Sequence, residues 1–299
     1  MRNVIRILFL CVVCMLLCSC EKAYEKETVS EQDANVIIRV SNYQQLSFDD
    51  ITYGDGPLHT RSAINLYDYC PYIQFFIFDG SEKVSNLNQS LGDEGYGQAN
   101  MSIAPGTYTL MVLAHKGLSF ATVTSLQKVT FPSNQVGDTF YYCGSITVED
   151  NKQNTFSISL ERCVAMFRLC TEDPLPDNVT KMKFYYTGGS STLDASRGWG
   201  NVNSRQTVNF DIEASQHGKP ATFEVFTFPH EDGGKLKITV TALDAEGKNV
   251  KERVFENVPI QRKQITQYTG TFFGSEQQVN SSMTIQGDTT WVVYQNSNY

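Results

Sequence analysis

Apolar and polar residues alternate with a period of two over much of the chain, the spacing that turns one face of a β-strand toward a core and the other toward water. Leu236, Ile238, Val240 and Ala242 alternate with Lys237, Thr239 and Thr241, and Thr155 to Leu160 sets Phe156, Ile158 and Leu160 against Thr155, Ser157 and Ser159. After Pro105-Gly106, Tyr108, Leu110, Val112 and Ala114 share a face, with Thr107, Thr109 and Met111 on the other. Further strands are predicted at Ala165, Phe167 and Leu169, at Met182, Phe184 and Tyr186, and at Val208, Phe210 and Ile212. Others follow over Thr222 to Phe228, Val250 to Phe255 and Ile265 to Phe273. Val36 to Val40 is compact and β-branched, and Tyr72 to Phe78 (YIQFFIF) is apolar at both parities, as a central strand covered on two faces must be. Leu118 to Leu126 is where a helical turn or two is predicted, although its Thr and Val content opposes one.

A strand, an Asp/Gly turn and a returning strand occur around Asp79-Gly80 and again around Asp244 to Gly247, one in each half. The pattern predicts an all-β chain of two tandem β-sandwich domains joined near residues 160–162, one over residues 35–160 and the other over 161–274. Residues 275–299 form a tail whose Met283-Thr284-Ile285 and Thr289 to Tyr294 are strand formers placed after the second sandwich is already complete. Two readings of the tail stand. Either it finishes its own domain's sheet, or Thr290, Trp291, Val292, Val293 and Tyr294 are a donor strand offered to another subunit.

The first residues set the compartment. Arg2 and Arg6 precede an uninterrupted apolar run of eleven residues, Ile7 to Leu17, too short to span a bilayer and the right length for a signal-peptide core. Leu17-Cys18-Ser19-Cys20 resembles a bacterial lipobox, with Cys20 as the acylated residue, because choosing Cys18 would put Leu17 where a small residue is required. Residues 1–19 are therefore read as a signal peptide and 20–34 as a lipidated tether that holds the protein to a membrane without crossing it.

Composition narrows the partners. Hydrophobic residues at 41% exclude general disorder, and 15 Tyr and 18 Phe with only 19% charged residues favour pleated, half-buried surfaces. The net charge of -8, with no Lys/Arg run, offers nothing to neutralise a phosphate backbone, so nucleic acid is not expected as a partner. Of eight cysteines, Cys70, Cys143, Cys163 and Cys170 lie beyond the lipobox, none at zinc spacing; they are either small buried strand residues or one or two disulfides.

Little in the chain suggests catalysis. His59, His115, His217 and His230 are not at metal-ligand spacing, and His230-Glu231-Asp232 before Gly233-Gly234 reads as a polar hairpin turn. Gly54-Asp55-Gly56, Gly95-Tyr96-Gly97 and Gly198-Trp199-Gly200 have no following helix to aim at phosphate, and no G-x-S-x-G elbow is present. No catalytic residue, metal or cofactor is expected, and the protein is read as a non-enzyme. Tyr96, Trp199 and Trp291, each in or beside a polar segment, are rings that cap a sandwich end or stack on sugar, and the second option defines the alternative function, a glycan-binding surface lipoprotein.

These residues resemble a family. The lipobox at Cys20, the strand ending Phe76-Ile77-Phe78-Asp79, Pro105-Gly106-Thr107-Tyr108 and Leu160-Glu161-Arg162-Cys163-Val164-Ala165 are similar to the fimbrillin-associated anchor lipoproteins of Bacteroidota. Leu236 to Gly247, Asn257-Val258-Pro259-Ile260, Arg262 and Thr269-Gly270-Thr271-Phe272-Phe273 continue the likeness. The resemblance implies a type V pilus component with two transthyretin-like sandwiches, outer-membrane and surface-exposed, whose partners are other fimbrial subunits joined by donor-strand exchange. Glu21, Lys22, Glu25, Lys26 and Glu27 resemble the surface-display signal of such lipoproteins. Stalk subunits of that family lose their first strand and lipid by cleavage after an Arg, whereas anchors stay acylated. Arg39 and Arg61 are the residues where such processing could act here, and the sequence leaves anchor and stalk both open.

Overall fold

The computed structural model describes residues 30–41 and 69–274, together with the backbone of strands at 282–287 and 294–295. The strands of the first half are β1 (Val36–Val40), β2 (Tyr72–Asp79), β3 (Glu82–Ser90), β4 (Gln98–Met101), β5 (Gly106–His115), β6 (Thr122–Ser125), β7 (Lys128–Thr130), β8 (Thr139–Val148), β9 (Asn154–Ile158) and β10 (Glu161–Arg162). β1 lies between β4, antiparallel, and β9, parallel, and this three-stranded sheet faces a five-stranded one of order β10-β8-β5-β2-β3. Between them Val36, Ile38 and Val40 meet Ile73, Phe75 and Ile77 of β2 and Leu110, Val112 and Ala114 of β5, as the two-residue period requires.

The other parity of β2 and β5 is buried too. Phe76, Phe78, Met111 and Leu113 enter a separate apolar cluster with Val123, Val129 and Phe131, so Met111, grouped by its pattern with Thr107 and Thr109, belongs to a core. Gln74, the polar residue in that two-faced run, is buried with its Oε1 accepting from Ala121 N at 2.9 Å and its Nε2 donating to Ala121 O at 3.1 Å. No helix forms over Leu118 to Leu126. β6 runs through it and pairs with β7, because Ala121 and Val123 cover the outer rings of β2 and an extended chain buries alternate residues against a sheet.

The second half contains β11 (Ala165–Thr171), β12 (Lys181–Thr187), β13 (Thr192–Asp194), β14 (Trp199–Gly200), β15 (Arg205–Asp211), β16 (Thr222–Thr227), β17 (Gly234–Leu243), β18 (Asn249–Ile260), β19 (Gln264–Gly270), β20 (Ser282–Gly287) and β21 (Tyr294–Gln295). One sheet runs β16-β11-β19-β20-β21 and the facing one β15-β12-β17-β18. Phe167 and Leu169 pack between them against Met182, Phe184, Tyr186, Leu236, Ile238, Val240 and Ala242. In β18 the register slips beside Leu236 and Ile238, and Asn257 adopts a left-handed φ of 55° at this bulge. The edge position of β18 tolerates Pro259, whose ring carries no N–H for a further neighbour.

The two halves repeat one topology. β4-β1-β9 and β16-β11-β19 have the same order and the same parallel central pairing, and β3-β2-β5-β8 corresponds to β15-β12-β17-β18. The Asp79 and Asp244 hairpins are not equivalent within this repeat, since the first joins β2 to β3 and the second β17 to β18. The repetition lies in strand order rather than in those turns.

The halves are also sewn together. β7 pairs with β13, Thr130 opposite Thr192 and Val129 opposite Leu193, which makes a four-stranded sheet β14-β13-β7-β6 with two strands from each half. Leu193, Ala195 and Phe228 thereby close over Phe76, Phe78, Met111 and Leu113. At the crossing point β10 pairs with β8, and Arg162, fully buried, grips the equally buried Asp138 with both forks at 2.8 and 2.9 Å.

Candidate assembly site

The donor-strand joining that the resemblance implies would need a first strand that leaves and a last strand that arrives. Arg39 lies on β1 with its backbone opposite Gln98 of β4 on one side and Ser157 of β9 on the other. Its exposed side chain donates to Gln98 Oε1 at 3.0 Å and pairs with Glu31 at 2.7 Å. A protease needs an extended, unpaired segment, so cleavage after Arg39 requires β1 to leave the sheet first. Arg61 and Cys20 lie outside the described residues.

The tail begins from a fixed point. The Asp173 carboxylate accepts from the backbone N–H groups of Phe272 at 2.7 Å, Phe273 at 2.5 Å and Gly274 at 3.1 Å. Arg253 donates to Phe272 O at 2.6 Å and to Gly274 O at 3.1 Å, and Lys251 to Gly274 O at 3.2 Å. Donors and acceptors of this corner are thus both satisfied, which holds the chain in place up to Gly274. β20 then pairs antiparallel with β19, from Gln264 opposite Gly287 to Thr269 opposite Ser282. β21 adds to β20, with Tyr294 opposite Ile285. Thr290, Trp291, Val292 and Val293 lie outside the described residues.

Beside this corner the sandwich opens into a groove of about 500 Å³ between β18 and β19, lined by Leu169, Arg253, Phe255, Tyr268 and Phe272 among others. Phe167, Phe255 and Tyr268 pack with ring centroids 5.1 to 5.6 Å apart at its base. The aromatic positions were visible in the alternation, but Asp173 was not. Its signal was weak, an acid ahead of the Pro174-Leu175-Pro176 turn, where the following proline keeps the backbone extended.

The remaining chemistry is quiet. Cys70, Cys143, Cys163 and Cys170 are free thiols in this structure. Burial pushes the Cys70 and Cys163 thiols far up and that of Cys143 to about 11, so these three supply no thiolate near neutral pH. Among the described residues no group of three or more His, Cys, Asp or Glu is placed to hold a metal ion. His230 to Gly233 forms the polar hairpin its sequence suggested. Of the rings weighed for sugar stacking, Tyr96 is buried with its hydroxyl donating to Cys70 O, and so is not a platform. Trp199 is half-buried at the edge of a polar cleft, and Trp291 lies outside the described residues.

Among curated proteins none matches the sequence. Solved structures share the general arrangement at low identity. A candidate polysaccharide-binding protein of Bacteroides thetaiotaomicron is 12% identical, with 88% of this chain and 98% of that one covered at a TM-score of 0.49. A fimbrial assembly protein of Parabacteroides distasonis is 11% identical (87% and 97% covered, TM-score 0.42), and the fimbrial anchor protein Mfa2 of Porphyromonas gingivalis 8% identical (87% and 99%, TM-score 0.42). The sequence pattern of the fimbrillin-A associated anchor proteins Mfa1 and Mfa2, in contrast, matches residues 30–297, nearly all of the chain beyond the expected signal and tether. The protein belongs to that family of fimbrial anchor proteins.

Proposed function

We propose that this protein is a lipid-anchored fimbrial subunit, held at the outer membrane by an acylated Cys20 and joined to its neighbour by a β-strand added across the subunit boundary. Family membership carries the fimbrial role, which is structural in kind. The lipobox supports the anchor, and the repeated strand order supports two tandem sandwiches over residues 35–160 and 161–274.

The observation that bears most on the joining step is the position of β20 and β21. The strand set shared by the two halves ends at β9 in the first and β19 in the second, so β20 and β21 are additions at a sheet edge. In the single chain they lie on their own sheet, which matches the first reading of the tail. An edge strand released from its ladder regains the same main-chain hydrogen bonds on a partner's edge. The exchange is therefore close to neutral in hydrogen bonding, and side-chain fit selects the partner.

The test is a chain ending at Gly274. The corner at Asp173 keeps its bonds in this variant, so circular dichroism should show an intact β fold, while co-assembly with the partner subunit is lost. Normal assembly of the truncated chain would overturn the donor role of the tail.

A further inference from the structure

A cleft of about 280 Å³ lies away from the tail, lined by Asp194, Arg197, Trp199, Asn201, His230 and Glu231. We infer that it binds a neutral hexopyranose at the end of a glycan. The inference rests on how the Trp199 ring is mounted and on which polar groups around it are already engaged, and uses no part of the filament reading.

The ring is a fixed platform. The Arg262 guanidinium sits 4.5 Å from its centroid and does not itself line the cleft, so it backs the indole from behind. Arg262 is held in turn by Tyr141 Oη and Gly198 O, each at 3.3 Å, and by Glu161 at 3.8 Å. Tyr141 belongs to the first half and Gly198 to the second, so the mounting spans both. Gly198 has a φ of +75°, and a Cβ there would lie 1.9 Å from Tyr141 Oη, which makes glycine necessary for this close approach.

The polar groups select the ligand. Arg197 is paired with Glu231 across the mouth, so no free cation is left for a phosphate or carboxylate. His230 places Nδ1 2.9 Å from Gly200 O and Nε2 3.1 Å from the Asn203 side-chain amide, so a neutral ring donates from Nδ1 to the carbonyl and accepts at Nε2 with the amide turned to present its NH2, and both ring nitrogens are occupied. Asp194 uses Oδ1 to accept from Ser196 N at 3.1 Å and Ser196 Oγ at 2.5 Å, and its Oδ2 takes no hydrogen bond among the described residues. Asn201 donates its Nδ2 to Gln127 O at 2.5 Å, which leaves its amide oxygen toward solvent. What remains is an apolar ring face beside hydrogen-bond acceptors and a neutralised ion pair. A pyranose matches this, since its C–H face lies on the ring while its hydroxyls donate to carboxylate and amide oxygens. A peptide would need a row of main-chain partners, and an anion would meet Asp194 unshielded. Ligand pockets usually start at roughly 300 Å³, so the cleft suits a terminal sugar rather than a stretch of polysaccharide.

Saturation-transfer NMR on the purified protein with the methyl glycosides of glucose, galactose and mannose tests this directly, with methyl sialoside as the anionic comparison. Transfer to at least one neutral hexoside is expected, with none to the sialoside. Asp194→Asn keeps the bond to Ser196 but replaces the free acceptor, and should weaken binding about tenfold, as loss of a hydrogen bond to a charged group does. Trp199→Ala should abolish binding and Trp199→Phe retain part of it, and if Trp199→Ala does not fold, Asp194→Asn decides by the same criterion. No transfer to any neutral hexoside, preference for the sialoside, or binding untouched by Asp194→Asn would each overturn the assignment.

Discussion

His115 ends β5 with none of its surface exposed, its Nδ1 accepting from Gly117 N at 3.0 Å and its Nε2 without a partner among the described residues. The rings of Tyr72 and Phe131, at 5.6 and 5.1 Å, pack against it, and burial lowers its pKa from 6.5 to about 4. Between those values the unfolded chain binds a proton that the folded chain refuses. The contribution of this group is thus complete above about pH 6.5 and falls as the pH drops toward 4, by on the order of 3 kcal/mol. Urea midpoints measured near neutrality and near pH 5 should show the fall, and His115→Asn, whose amide oxygen replaces Nδ1 as acceptor, should be less stable at neutrality and lack this acid-dependent part. Asp138 makes a second residue-scale case, because Tyr69 Oη donates to it at 2.7 Å beside the forked Arg162 contact. Arg162→Ala leaves that carboxylate buried and unmatched, and calorimetry should show a loss of about 3 to 5 kcal/mol. The pair replacement Arg162→Met with Asp138→Leu removes both charges and should cost clearly less.

Elements differ in how openly the sequence declares them. β17 alternates with every apolar residue inward, and its pattern alone gives strand and face. β3, with the sequence EKVSNLNQS at a sheet edge, buries little and has no apolar period to betray it. β6 was obscured for a different reason. Its four residues become a strand through a tight hairpin with β7 and through cover over Phe76 and Phe78, and the latter contacts lie far away in sequence. The candidate sites follow the same rule. In the tail, Met283-Thr284-Ile285 was legible as a surplus strand former, and Trp199 as a ring in a polar loop, but Asp173 and the meeting of Asp194 with Glu231 depend on long-range folding. One prediction belongs to β1 as an element. Since it is paired on both edges, trypsin acting on the folded protein should spare the bond after Arg39, and fragment N-termini read by mass spectrometry check this. A cut there under native conditions would mean that β1 opens readily.

At the scale of the molecule, the shared sheet β14-β13-β7-β6 and the cluster around Phe76, Phe78 and Phe228 join two topologically equivalent halves through an apolar contact. As the anchored subunit proposed above, the protein would transmit load from a membrane anchor at one end of the chain to a neighbour at the other, and a sewn junction suits that better than a loose linker. The anchor proposed at Cys20 and the joining strand proposed in the tail require that the mature protein keep the acylated Cys20 as its first residue. Surface labelling of intact cells followed by mass spectrometry of the N-terminal peptide tests it most directly. The expected result is a chain that begins at an acylated Cys20; a labelled protein that begins after Arg39 or Arg61, without lipid, would overturn the anchor role and identify a processed, polymerising subunit.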